Sequence, residues 1–442
     1  MFILFFIVVL LGGNSREDFP GLVILYPASI FLATVALAMP GGVDWRDVCA
    51  PLGLLSAFAL LVVLQVVPLP PGIWAALSHR LEWTAGVRAA GIDLGWQPLS
   101  ISPDSTLDAL PWLAVPAAML AAIASASRDS VRLLLPALLV SMLISAALGI
   151  AQYATGDKSL LYFHPNAVPG EVVGFFANRN HHAVFLAMGI PLGAAACTSV
   201  TLPKRLQALV LLAYFAFATF LTAVVIMAGS RGGLATLGLG VLLSAALIYP
   251  RMDEIRMLFA KGGGRFAIAA GVSIIVTLCA LIAIALSTRG IAVSRFDQTD
   301  VVNELRWRTL PVVLDIWREH WLAGTGLGTF NQLYRIYEPL ALLQPLYLNH
   351  AHNDLLELAV TGGLPGLAII LVFGLWLLRS FWMALKSSSP VAIASGIAIV
   401  QLLIASLFDY PLRTPLLMVV FVVLTLWLVH SNSQHRKGLY QH

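Results

Sequence analysis

Residues 133–152 have the sequence LLLPALLVSMLISAALGIAQ, twenty residues without a charged side chain. A helix needs about 20 consecutive apolar residues to cross the hydrocarbon core of a bilayer. This stretch therefore predicts a membrane-spanning helix. A single run of this kind is also compatible with a buried helix of a soluble protein, but similar runs recur from one end of the sequence to the other.

The composition of the whole chain favours the membrane interpretation. Of its 442 residues, 59% are hydrophobic and 11% are charged, against about a quarter charged in an average soluble domain. Such a chain has too few charged side chains to cover a water-facing surface. The net charge of +4 does not indicate nucleic acid binding, because the cationic residues lie in loops between apolar runs and no basic stripe with interleaved aromatic residues is present.

We predict an all-α polytopic membrane protein with about 12 transmembrane helices, in a single transmembrane domain that covers residues 1–442. The predicted spans are residues 1–12, 21–39, 50–68, 109–126, 133–152, 173–199, 207–228, 233–249, 267–287, 351–378, 390–408 and 413–430. A large loop, residues 288–350, is inserted between spans 9 and 10.

The cationic residues predict the orientation, because short cytoplasmic loops are enriched in Lys and Arg. The cationic short loops and the C-terminal tail all fall on one face of the predicted arrangement; they hold Arg46, Arg128, Arg132, Lys204, Arg205, residues 251–265, Arg379, Lys386, Arg436 and Lys437. We expect a bacterial inner-membrane protein with this face and both termini in the cytoplasm. The periplasmic face then receives the connections 69–108, 153–172 and 288–350 and the turn at 230–233.

The periplasmic loop contains residues 309–322, TLPVVLDIWREHWL, whose apolar side chains recur at helical spacing with charged residues between them. This pattern predicts an amphipathic helix that lies on the membrane surface or caps the bundle.

Polar and ionisable residues at membrane depth are energetically costly and are therefore functional candidates. Three such motifs fall on the predicted periplasmic face: GFFANRNHHAVF at 174–185, GSRGGLATLGLG at 229–240 and NHAHNDLLELAVTGGLPG at 349–366. The candidate site residues are Arg179, Asn180, His181, Arg231, His350, His352 and Asn353, together with Arg306 and Arg308 from NELRWRTLP at 303–311.

The residue types indicate an anion site beside a base. A guanidinium matches phosphate oxygens two at a time, so Arg231 suggests an anion site; an arginine reaching toward lipid headgroups is the alternative. His350 or His352 can take a proton from a hydroxyl near the aqueous face, although a hydrogen-bonded interface histidine is the common alternative. We predict no metal site, because two histidines at this spacing point to different sides of a helix.

These residues resemble a known family. His352 and Asn353, nine further residues, and then Gly363-Leu364-Pro365-Gly366 are similar to the signature of O-antigen ligases and the wider O-antigen ligase/polymerase superfamily. Residues 305–330, LRWRTLPVVLDIWREHWLAGTGLGTF, resemble that family's periplasmic pattern of an arginine, an amphipathic helix and a glycine-rich turn. GFFANRNHHA and SRGG are similar to its remaining motifs, so the resemblance covers residues 174–366.

The resemblance implies a class C glycosyltransferase whose donor is a polyprenyl-diphosphate-linked glycan. It implies that His352 activates the acceptor hydroxyl and that Arg231 and Arg306 engage the donor diphosphate, with neither nucleotide nor metal cofactor. Arg179, Asn180, His181, Arg308, His350 and Asn353 are candidate substrate-binding or supporting residues. Asn353 or Asp354 could orient His352.

The function expected from this resemblance is transfer of O-antigen to lipid A-core at the periplasmic face. An O-antigen or exopolysaccharide polymerase and an exopolysaccharide ligase are alternatives within the superfamily. A protein O-oligosaccharyltransferase is a further alternative, but that class usually has more chain after the signature than the short, mostly apolar remainder of this sequence. A transporter is the non-enzyme alternative, but the chain has no inverted repeat and its polar residues cluster at one face.

Overall fold

The computed structural model describes residues 1–39, 45, 47–77, 80–156, 160–253, 307–343 and 348–439. The described helices are α1 (Phe2–Leu11), α2 (Leu22–Ala38), α3 (Cys49–Val66), α4 (Pro71–Ala75), α5 (Arg80–Ala89), α6 (Pro103–Leu107), α7 (Ala109–Ala124), α8 (Arg128–Arg132), α9 (Leu134–Thr155), α10 (Arg179–Ser199), α11 (Lys204–Ala228), α12 (Arg231–Ile248), α13 (residues 307–320), α14 (Phe330–Tyr337), α15 (Asp354–Ser387), α16 (Pro390–Ala405) and α17 (Pro415–Leu439). Single 3-10 turns lie at Tyr249–Arg251, Leu340–Leu342 and Pro411–Arg413. Strands β1 (Pro68–Leu69) and β2 (Gln97–Pro98) pair antiparallel, with Pro68 opposite Pro98.

The protein is an all-α membrane protein. Within the described residues, seven helical segments are long and apolar enough to cross a bilayer: α3, α6 with α7, α8 with α9, α10, α11, α12 and α15. Four shorter apolar helices, α1, α2, α16 and the apolar part of α17, accompany them. These helices coincide with eleven predicted spans. The span predicted at 267–287 lies outside the described residues, so the count of twelve stays a prediction.

Two predicted helix starts are wrong. The sixth span was expected from residue 173, but α10 begins at Arg179, because the Asn178 side chain accepts a hydrogen bond from the backbone N–H of Asn180 and caps the helix. The tenth span was expected from residue 351, but α15 begins at Asp354 after the cap Asn353. Both corrections move polar residues out of a helix and into the segment before it.

Helix α10 is the centre of the bundle. Of its most apolar stretch, 89% is buried, against 22% for α3. It packs against α9, α11, α12 and α16. Its sequence GIPLGAAAC is rich in Gly and Ala, and small residues allow neighbouring membrane helices to approach closely.

Several segments between helices are hydrogen-bonded to one another. The backbone N–H of Ala177 donates to the carbonyl of Gly13 at 3.1 Å, and that of Leu416 donates to Gly12 at 2.9 Å. Similarly, Ile101 donates to Thr325 at 2.9 Å. The Arg251 side chain donates to the carbonyl of Thr198 at 3.0 Å.

A kink in α15 joins this helix to the turn that precedes α14. Gly363 has φ 57° and ψ −155°, and Pro365 has no N–H to donate to the carbonyl of Thr361 four residues earlier. That carbonyl instead accepts from the Gln65 side chain at 2.9 Å and from the backbone N–H groups of Thr325 at 3.2 Å and Gly326 at 3.0 Å. Residues 324–328 and 361–366 together are called the glycine joint below.

Candidate active site

Asn353 determines the shape of the segment that carries the two candidate histidines. Its side-chain oxygen accepts from the backbone N–H of Leu356 at 2.9 Å, and its side-chain nitrogen donates to the carbonyl of Leu407 at 3.1 Å. Residues 350–353 are therefore outside α15, and His352 has φ 50°. The expectation that helical spacing separates the side chains of His350 and His352 is wrong, because neither residue is helical.

Asp409 is the carboxylate nearest to His352. The His352 Nδ1 atom lies 3.4 Å from Asp409 Oδ1, and the Asn180 side chain donates to Asp409 Oδ2 at 2.7 Å. His181 Nε2 lies 3.9 Å from the same Oδ1. An Nδ1–H group directed at Asp409 leaves His352 Nε2 with the free lone pair of a base. The connection between α16 and α17 thus brings a carboxylate to the histidine.

The ring of Tyr410 contacts three histidine rings. Its centroid lies 4.6 Å from that of His350, 5.0 Å from that of His352 and 5.4 Å from that of His181. Three imidazoles against one phenol ring leave little rotational freedom to any of them. The arrangement holds His352 in a defined position through the Tyr410 ring and the contact between His352 Nδ1 and Asp409.

A largely buried ionic cluster contacts His350 through Glu357. Arg413 Nη2 is 3.1 Å from Glu357 Oε1, and Arg413 Nε is 3.6 Å from Asp354 Oδ1. Glu357 also bonds His350 Nδ1 at 3.0 Å and accepts from the backbone N–H of Ala351 at 2.9 Å. Burial alone would lower the pKa of Arg413, but the two carboxylates raise it above its ordinary value. Asp354 therefore binds Arg413 and does not orient His352, contrary to one alternative above.

Arg231 begins α12. The Ser230 side chain accepts from the backbone N–H of Gly233 at 3.0 Å and caps the helix, and Arg231 is exposed. The first N–H groups of a helix and its dipole favour a negative charge. Arg231 adds a full positive charge at the same place.

These elements enclose a cavity of about 810 Å³. Its lining includes six of the candidate residues: Arg179, Asn180, His181, Arg231, His352 and Asn353. Trp307 and Leu310 of α13 also line it. His350 and Arg308 do not line the cavity, and Arg306 lies outside the described residues.

Two acidic residues of the cavity were not predicted from the sequence. Asp409 and Glu171 both line it, and Glu171 Oε1 lies 3.1 Å from Arg179 Nη1. A signal for Asp409 exists in SLFDYPLR, residues 406–413, where an aspartate and an arginine interrupt two apolar runs on the predicted periplasmic face. Glu171 carries no comparable signal.

The part of the chain described by the structure contains no group of three His, Cys, Asp or Glu side chains arranged as metal ligands. The chemical groups of the cavity are a histidine beside a carboxylate, an arginine at a helix N-terminus and an Arg–Glu pair. They can exchange a proton with a hydroxyl and hold an anion.

The fold and the cavity define a multi-helix membrane protein with a polar site at one end of its bundle. Residues 215–371 match the O-antigen ligase family. This match confirms the resemblance found in the sequence for that region and suggests a glycosyltransferase-like enzyme. The matched region contains Arg231, His352 and the glycine joint, whereas Arg179 and Asp409 lie outside it. No curated protein matches the chain.

Proposed function

We propose that the protein transfers a glycan from a polyprenyl diphosphate to a hydroxyl of lipid A-core at the periplasmic face of the inner membrane. The observation that carries this proposal is the shared cavity, in which His352, 3.4 Å from Asp409, and the cationic N-terminus of α12 with Arg231 line the same space. A base and an anion site in one cavity are the two requirements of this reaction.

His352 acts as the base. Its Nε2 atom takes the proton of the acceptor hydroxyl, whose oxygen attacks the anomeric carbon of the donor sugar and forms the new glycosidic bond. The bond between the anomeric carbon and the diphosphate oxygen breaks, and its electron pair stays on that oxygen. Polyprenyl diphosphate leaves, and the configuration at the anomeric carbon is inverted. Asp409 stabilises the imidazolium that results.

The arginines act on the leaving group. The diphosphate gains negative charge as the glycosidic bond breaks, so fixed cations at its oxygens stabilise the transition state more than the ground state. Arg231 is proposed for this role because it lines the cavity beside the first N–H groups of α12. Arg306, one residue before the cavity-lining Trp307, is proposed as its partner. The reaction needs no nucleotide or metal.

The periplasmic orientation is part of the proposal, because the short cationic loops fall on the opposite face of the predicted arrangement. A cysteine introduced at Gln298 is expected to react with an impermeant thiol reagent in whole cells. Labelling only after the inner membrane is opened would indicate the opposite orientation, with both termini in the periplasm.

The glycan pattern of a strain without the protein distinguishes a ligase from a polymerase of the same superfamily. We expect gels of lipopolysaccharide to show bare lipid A-core, together with accumulated carrier-linked polymer. Core that bears a single repeat unit would contradict a ligase and indicate a polymerase. An unchanged pattern would contradict both.

A further inference from the structure

One wall of the cavity carries an ion pair that the reaction above does not use. Glu171 and Arg179 lie 3.1 Å apart, both line the cavity, and their side chains are 17% and 20% exposed. The pair is thus partly shielded from bulk water and still open to a ligand.

The backbone around this pair is held by several hydrogen bonds. The Tyr162 hydroxyl donates to the carbonyl of Glu171 at 2.8 Å and accepts from the backbone N–H of Gly170 at 2.9 Å. Arg179 is the first residue of α10 and directly follows the cap Asn178. Two fixed segments therefore present the carboxylate and the guanidinium, and little ordering is needed when a ligand binds.

The charges of this wall disfavour the donor diphosphate. The guanidinium of Arg179 is compensated by the carboxylate of Glu171, and a carboxylate repels a diphosphate. Arg179 and Arg231 each begin a helix, so the helix dipole favours an anion beside either of them. The carboxylate of Glu171, 3.1 Å from Arg179, is what distinguishes the two. The two arginines of the cavity therefore differ in what they can bind.

A sugar hydroxyl both donates and accepts hydrogen bonds, and a carboxylate beside a guanidinium offers it one acceptor and several donors. Asn180, the neighbour of Arg179 in the chain, donates to the carboxylate of Asp409 at 2.7 Å, which lies against His352. A sugar held at this wall thus shares the cavity with the base. We propose that Glu171 and Arg179 form the subsite that binds the neutral hydroxyls of the acceptor glycan.

This inference rests on the proposed function and is tested with the purified, reconstituted full-length protein. The rate of transfer is measured against the concentration of undecaprenyl-diphosphate-linked glycan and, separately, of purified lipid A-core. Glu171→Gln keeps the shape and removes the charge, so the KM for lipid A-core is expected to rise roughly ten- to hundred-fold. The KM for the donor and kcat are expected to stay as in the unmodified protein.

The matched control is Asp315→Asn. Asp315 Oδ1 lies 2.6 Å from Arg318 Nη1 in an exposed ion pair on α13, and neither residue lines the cavity. It is expected to change neither KM. If Glu171→Gln does not insert, Arg179→Lys gives the same measurement, because lysine keeps the charge and loses the planar fork.

An unchanged KM for lipid A-core, or a rise confined to the donor, overturns the inference while leaving the proposed function intact. A protein that transfers nothing between these two substrates overturns the proposed function itself. The two failures are therefore distinguishable in one series of measurements.

Discussion

The family signature begins at His352 and Asn353, its head, and ends at residues 363–366, its tail. At the head, His352 lines the cavity with Asp409 beside it. At the tail, Gly363 lies in the glycine joint, where no space is left for a Cβ atom. A Cβ atom on Gly324 would meet the carbonyl oxygen of Thr361 at 2.4 Å. The nine residues between head and tail separate them by about 13 Å of helix.

The difference indicates that one signature serves two purposes. The head supplies His352, which exchanges a proton with a ligand, so this side chain is expected to be replaceable without loss of the fold. The glycine joint at the tail supplies the backbone carbonyl of Thr361 and the space for close packing. Substitutions there are therefore expected to destabilise the fold. Activity and stability should therefore separate along this single stretch.

The largest effect is expected from Gly324→Ala in the joint. Gly324 has φ +72° and no room for a methyl group, so the substitution adds a clash to backbone strain and should cost about 3 kcal/mol of stability. Gly91→Ala is the matched control, because Gly91 has φ +71° and nothing within 4 Å of its added Cβ. Only the strain, about 1 kcal/mol, applies there.

Thermal unfolding in detergent measures the contrast between these two variants. The midpoint should fall clearly further for Gly324→Ala than for Gly91→Ala. Equal losses would mean that the joint is not packed as described.

The next effect is expected from Asp409→Asn at the head. Asparagine keeps the size of the side chain but cannot stabilise the imidazolium of His352 by charge, so transfer should fall about a hundred-fold with an unchanged thermal midpoint. Initial rates with purified protein measure this. A normal rate would remove Asp409 from the mechanism.

A smaller loss, about ten-fold, is expected from Arg231→Lys, which keeps the charge and loses the planar fork. Arg308→Lys is the control, since Arg308 is exposed and outside the cavity lining. The readout is the KM for the polyprenyl-linked donor together with kcat. If both variants transfer normally, Arg231 serves only to contact lipid headgroups.

The smallest effect concerns His164, a buried histidine whose Nε2 atom lies 2.8 Å from the carbonyl of Phe175. Burial lowers the pKa of His164 below its ordinary value of 6.5. Its contribution to stability is therefore present above that value and is lost as the pH falls below it.

His164→Gln cannot take up a proton and should lose less stability than the unmodified protein between about pH 7.5 and about pH 5.5, by less than about 1 kcal/mol. Thermal midpoints at both pH values measure this difference. If the thermal midpoint of His164→Gln falls as much as that of the unmodified protein, groups other than His164 cause the loss of stability in acid.

Sequence alone predicted most of the fold, because a membrane helix is encoded by a local apolar run such as residues 133–152. It also identified the cavity residues that belong to contiguous motifs. Asp409 could not be placed in this way, because it bonds Asn180 across 229 residues of sequence. The helix start at Asp354 could have been predicted, since Asn is a favoured N-cap residue.

The initial rate of glycan transfer by purified His352→Ala tests the role of His352 as the base most directly. A fall of at least about a hundred-fold is expected, with donor binding and the thermal midpoint unchanged, because the arginines and the joint remain intact. His350→Ala should lose less activity, since His350 bonds Glu357 and does not line the cavity. Transfer by His352→Ala at the rate of the unmodified protein would show that His352 is not the base.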